Sequence, residues 1–190
     1  MRGFRAGSMA LTWVAAAAFA AALATGTAGC GKKRAPPSKV DQALFQVIAQ
    51  AQVRADEVFN GRDTMKVVRG KWTTPGATAG YEAHRAGDVF RFIEEREDRG
   101  DHGMSDNRYY FDDGGVLFFY EDRGEEKEPR GGLPPMSRLV QRTLMFDPGG
   151  QAVWGRRLVD GVAGEVPDSQ VVAIRDRARG VLAHAKGMVP

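Results

Sequence analysis

The side chains best suited to chemistry crowd into one stretch. From Glu94 to Asp106 the chain reads EEREDRGDHGMSD, and residues 91–130 hold 13 acids against 7 bases, a net −6. The carboxylates of Asp98, Asp101 and Asp106, with the imidazole of His102, are the residues that would hold a divalent cation. Their spacing follows neither the D-x-[DN]-x-[DN]-G calcium loop nor a zinc pattern, so no metal is expected. Glu94 or Glu95 with Asp112 or Asp113 would be the pair for acid–base hydrolysis, but these fall at turns and strand ends of an acid-rich segment. His102 and Ser105 are close in sequence without a G-x-S-x-G elbow. Gly149-Gly150 is a turn with no helix after it, so it cradles no phosphate. The expectation is a chain with no catalytic residues and no cofactor.

The elements that carry these residues follow from periodicity. Val40, Leu44, Val47, Ile48, Ala51, Ala55 and Val58 recur at steps of three and four, which predicts a helix from Ser38 to Asn60-Gly61. From Thr64 the period becomes two. Thr64–Thr73 is a first strand. Hairpins follow, 80–85 with 89–97, 107–112 with 116–122, and 138–146 with 151–159, each with Gly and Asp at its tip. In YYFDDGGVLFFY both faces of each strand are apolar, so this hairpin is expected to be central and at least partly covered on both sides, by helix on one face and by a second layer or a partner on the other. Gly124–Pro135 is charged and rich in Gly and Pro, and is expected as a solvated loop. Pro167 opens a last helix with Val171, Ile174, Ala178, Val181, Leu182 and Ala185 on one face. The fold class is α+β: an antiparallel hairpin meander of about six or seven strands, packed with an N-terminal and a C-terminal helix on one core.

The first thirty residues carry a different signal. Arg2 and Arg5 precede a run of 16 uncharged residues, Met9–Ala24, and small residues lead to Cys30, the only cysteine in the chain. The run is short and alanine-rich for a spanning helix but suits an export signal. Thr27-Ala28-Gly29-Cys30 resembles the lipobox of bacterial lipoproteins, over residues 1–30. The family usually has leucine where Thr27 stands. The resemblance implies cleavage before Cys30 and acylation of its thiol. The organisation is then a signal peptide (1–29), a lipidated cysteine with a basic, proline-bearing tether (30–37) and one α+β domain (38–190). Gly31, rather than aspartate, after the cysteine implies passage to the outer membrane, on the periplasmic face.

After Cys30 the chain holds 25 bases and 24 acids, so the net charge does not mark a nucleic-acid binder. The expected role is a lipid-anchored envelope protein, bound to the bilayer through Cys30 and to an envelope protein through a sheet face or the acidic stretch. Glu94, Glu95, Asp101, His102, Tyr110 and Trp72 are the candidate contacts. A carrier or sensor of a small apolar ligand or lipid is the alternative, drawn from the two-faced aromatic hairpin. An envelope hydrolase comes third.

Overall fold

The period of two after residue 64 becomes one antiparallel sheet. The structure, a computed structural model, describes residues 39–74, 76–131 and 133–188. The export segment, Cys30, the tether and the expected helix start at Ser38 lie outside the described residues. Helix α1 (Lys39–Gly61) comes first. The strands are β1 (Lys66–Thr74), β2 (Ala77–Ala86), β3 (Val89–Asp98), β4 (Gly103–Phe111), β5 (Leu117–Arg130), β6 (Leu133–Phe146), β7 (Ala152–Val159) and β8 (Val162–Gly164). Each pairs with the next in chain order. Helix α2 (Asp168–Gly187) closes the chain, with Pro167 at its N-cap position. Among the described residues there are thus eight strands, not six or seven. The extra one, β8, is three residues long and follows Asp160-Gly161, both with positive φ (51° and 84°), a two-residue turn whose twist matches a hairpin.

The expectation of one shared core is also corrected. Two clusters form, one on each face of the sheet. On one face Ile93, Tyr109, Tyr120 and Leu144 pack under Ile174, Ala178, Val181, Leu182 and Ala185 of α2. On the other Phe92, Tyr110, Phe118, Phe119 and Met145 pack under Ala55 and Val58 of α1, with Ile48, Ala51 and Phe59 at its margin. Adjacent residues face opposite layers except at a bulge, where Phe118 and Phe119 share one, and the register carries both rows across the sheet: Ile93↔Tyr109↔Tyr120↔Leu144 and Phe92↔Tyr110↔Phe119↔Met145. Burying both faces removes the water contact of some ten aromatic and branched side chains, each stabilising by roughly 1.5–3 kcal/mol.

Helix α1 lies across the strands. Arg62, just past its end, brings its carbonyl to 3.3 Å from His84 Nδ1 on β2. Phe59 meets Phe92 of β3 edge to face at 5.6 Å. Arg54 lies 4.4 Å over the Phe118 ring of β5. Register shifts at His84/Arg85, Tyr110/Phe111 and Met145/Phe146 fall on one line beside this crossing. Such bulges bend and twist strands locally, and here they line up under the helix.

The segment expected as a solvated loop, 124–135, is instead a two-stranded arm. β5 and β6 pair out to Arg130↔Leu133, while β4 pairs with β5 only as far as Glu126 and β7 with β6 only from Val140. Beyond those points each arm strand has one free edge, and Pro129, Pro134 and Pro135 fall in the register irregularity between Glu128 and Arg130, where they interrupt no ladder pair. The acidic stretch is likewise ordered. Glu94–Asp98 finishes β3, Gly100–His102 is a single 3-10 turn and β4 starts at Gly103.

Gly103 fixes that corner. Its φ is +105°, and a Cβ there would strike the Glu125 carbonyl oxygen of the neighbouring strand. Gly103→Ala is expected to cost roughly 2 kcal/mol or more, from strained backbone and displaced ladder together. Chemical denaturation measures it; a wild-type midpoint would contradict the β4–β5 register.

Candidate functional site

Two polar assemblies sit on the sheet, one closed and one open. The closed one lies under α2. Glu95, in the middle of β3, is fully buried (0% exposed) because its alternation places it beside Ile93 on the α2 face. Five N–H and O–H donors surround its carboxylate. Trp72 Nε1 donates to Oε1 at 2.6 Å, Tyr109 Oη to Oε2 at 2.9 Å and Asn107 Nδ2 to Oε2 at 3.4 Å. Arg177 of α2 closes the set with a two-pronged pair, Nε to Oε2 at 2.9 Å and Nη2 to Oε1 at 3.0 Å. The same guanidinium reaches Glu97 at 2.8 Å and lies 4.9 Å from the Trp72 ring. Burial acts against the charge on Arg177, yet Glu95 holds its pKa above the ordinary value.

The line continues toward β7. The Tyr120 hydroxyl lies 3.0 Å from Asn107 Oδ1 and 2.8 Å from Asp122 Oδ2, two acceptors for its one proton. Asp122 accepts the Arg142 backbone N–H at 2.8 Å and pairs with Arg142 Nε at 3.0 Å. Arg142 also donates to Glu126 at 2.8 Å, which Arg157 approaches at 3.4 Å. Burial pushes the Asp122 carboxyl up, outweighing the pull of Arg142. The carboxylates of the line are taken up by its own donors, while Arg157 Nε at its end is buried without a partner.

The fold gives both His84 and His184 a partner, the Arg62 carbonyl for one and Tyr81 for the other. Tyr81, whose ring lies across the space left by Gly70, brings its hydroxyl to 2.9 Å from His184 Nδ1 on α2. Arg177 and Arg142, the cations of the closed line, carry no local signal. They become visible only when α2 and β6 are laid beside acids distant in sequence.

The open assembly is the half of the α1-side sheet face that α1 does not reach. It is a mosaic of cross-strand ion pairs. Arg69 meets Glu82 at 2.8 Å and Arg96 meets Asp106 at 3.9 Å, both exposed. Arg108 pairs with Glu94 at 3.0 Å and Glu121 at 3.4 Å beneath the Phe59 ring. Beside these charges Met104 (44% exposed) and Leu139 (41% exposed) face solvent, brought to the same level by the register Met104↔Glu125↔Leu139.

The sequence-derived candidates divide between these surfaces. Glu94 is on the open face. Glu95 and Tyr110 are corrected: both are buried, Glu95 under α2 and Tyr110 under α1 with its hydroxyl on Glu121 at 2.8 Å. As contacts for a partner they are closed. Trp72 is half-buried with its indole N–H spent on Glu95. Asp101 and His102 are exposed in the 3-10 turn. Asp98 caps the turn, accepting the Gly100 N–H at 2.8 Å, and Asp106 pairs with Arg96. The four residues that would hold a metal are therefore not drawn together. Among the described residues no group of three or more His, Cys, Asp or Glu side chains is placed to hold an ion.

Removing Glu95 strands a buried guanidinium, so Glu95→Ala and Arg177→Ala should each destabilise by roughly 3–5 kcal/mol. The double variant should cost clearly less than their sum, because the second removal takes away a group already stripped of its partner. Additivity in denaturant titrations would refute the pairing. A second measurement addresses the phenols. Burial raises the pKa of all four tyrosines, Tyr81, Tyr109, Tyr110 and Tyr120. A raised acid favours the neutral form in the fold. That stabilisation is complete below about pH 10, the unfolded value, and is lost as pH rises toward the folded values. Tyrosinate absorbance should therefore appear in one cooperative step together with loss of the fold. A gradual rise near pH 10 with the fold intact would show that the rings are not buried. The chain matches no family model, no curated protein and no solved structure, and its functional reading rests on this geometry.

Proposed function

We propose that the chain is a non-enzymatic protein of the bacterial cell envelope, held at the periplasmic face of the outer membrane by lipid on Cys30. It binds another envelope protein through the open half of the sheet. The observation that carries the binding surface is the exposed pair Met104 and Leu139 set among charges on the part of the sheet face that α1 leaves open. Flat surfaces of this composition, apolar side chains ringed by charge, fit a protein partner better than a small molecule. The lipobox-like residues supply the address, and no described helix is long and apolar enough to cross a membrane.

Two observations set the other readings behind this one. The aromatic hairpin that would serve an apolar-ligand carrier is covered on both faces by the chain's own helices. The acids that would serve a hydrolase are consumed in ion pairs and turns.

A photo-crosslinker placed in the full chain at Leu139 or Asp106, in living bacteria, should give one protein adduct. Charge reversal at Arg96, on the same face, should weaken it. The same crosslinker at Val172, exposed on α2, should not give the adduct. An adduct at Val172 equal to that at Leu139, or none at either face residue, would overturn the surface.

A further inference from the structure

The apolar stripe of α1 continues past the point where the sheet supports it. Ile48, Ala51, Ala55 and Val58 on that stripe pack on the sheet. Leu44 and Val47 extend the same stripe toward the N-terminus, at 39% and 48% exposed, and Phe45 beside them is 58% exposed. A helix end that met only water would gain nothing from these side chains; three large apolar residues within four positions mark a surface that is covered in use.

Charge and chain length indicate what covers it. Residues 31–53 hold Lys32, Lys33, Arg34 and Lys39 against one acid, Asp41, a net +3, whereas residues 54–190 are net −2. Eight residues separate Cys30 from Lys39, so the helix start lies within about 30 Å of the cysteine even at full extension. The basic tether, with Lys32, Lys33 and Arg34, thus runs directly into the stretch of α1 whose large apolar side chains are exposed. That pairing is the composition of a segment lying at an anionic bilayer surface, with apolar side chains in the acyl boundary and cations among the headgroups.

We propose that the first turns of α1, through Leu44, Phe45 and Val47, dock on the anionic lipid surface of the membrane that carries the acylated cysteine. The domain is thereby held flat against that membrane rather than swinging on its tether. The inference rests on the lipid-anchor reading.

Acylation leaves no other thiol in the chain, so Phe45→Cys gives one attachment point for an environment-sensitive dye. The lipidated full-length product, extracted and returned to vesicles of phosphatidylcholine with phosphatidylglycerol, is titrated with brominated acyl chains. The dye at residue 45 should shift to the blue and lose most of its emission. A dye at Val162→Cys, on the exposed β8, should keep its emission. Vesicles of phosphatidylcholine alone, or salt near 1 M, where the Debye length falls to about 3 Å, should weaken the quenching at residue 45. Equal brightness at residues 45 and 162 on protein that stays with the vesicles overturns the docking and leaves the anchor standing. An intact mass without acyl addition at Cys30 removes the anchor, and the docking with it. A dye shielded equally in detergent and on vesicles, and not quenched, overturns the lipid surface in favour of a second copy or a bound protein.

Discussion

A strand with apolar residues at consecutive positions has no face to give to water. Tyr109-Tyr110-Phe111 and Leu117-Phe118-Phe119-Tyr120 form such a pair at the centre of the sheet, and all seven are buried. Leaving either face open would expose several aromatic rings, at a cost larger than the net stability of most domains of this size. The sheet must be covered twice, and the chain carries one amphipathic helix before it and one after it. The three-layer order follows from this constraint. A meander makes it easy to satisfy, because all connections within the sheet are short and leave both faces clear.

The two helices are held in different ways. α1 has a mainly apolar seat, with Arg54, Arg62 and Arg108 stacked on Phe118 and Phe59 around it. α2 has apolar contacts from Ile174 to Ala185 and an ionic lock in their midst, where Arg177 grips Glu95. A buried pair of this kind adds little over a well-packed apolar one and costs much if half is removed. Its effect is positional. A fork-to-fork contact has one geometry, so it sets where along the sheet α2 lies, and with it the apolar contacts from Ile174 to Ala185.

Much of this was legible in the sequence. Both helices, the two-faced central hairpin and the turns at 86–88, 112–116 and 147–150 were readable because each depends on local pattern. Three features were not. The 124–135 arm has the composition of a loop, and its prolines are admissible because they fall in the register irregularity between Glu128 and Arg130 of a two-stranded ribbon. β8 was signalled by Asp160-Gly161, but three exposed residues give no periodicity. Glu95 looked like one acid among many. Its burial depends on falling in phase with Ile93, on the side where Trp72, Tyr109 and Arg177 arrive from three other elements. The candidate site was correspondingly hard to read. Glu94 and Glu95, neighbours in a charged run, sit on opposite faces, one on an open surface and one sealed.

Both unpartnered surfaces trace to the lie of α1. A helix of 23 residues is about 34 Å long. Laid across strands, it is carried from β2 to β7, the edge at this level, over five spacings of about 4.8 Å, or about 24 Å. The excess of about 10 Å falls at the N-terminal end of the helix, where Gln42 to Val47 are exposed. Because the helix crosses the strands rather than running along them, it also covers only one band of them. The remainder of that face, from Arg96 and Asp106 to Leu139, stays open however tightly the helix packs. Lengthening the sheet by two strands beyond β7 at this level would cover the overhang. Turning the helix along the strands would cover the open face. The chain does neither, and the crossing angle itself fixes where its two free surfaces lie: one at the end nearest the tether, the other across the strands away from it.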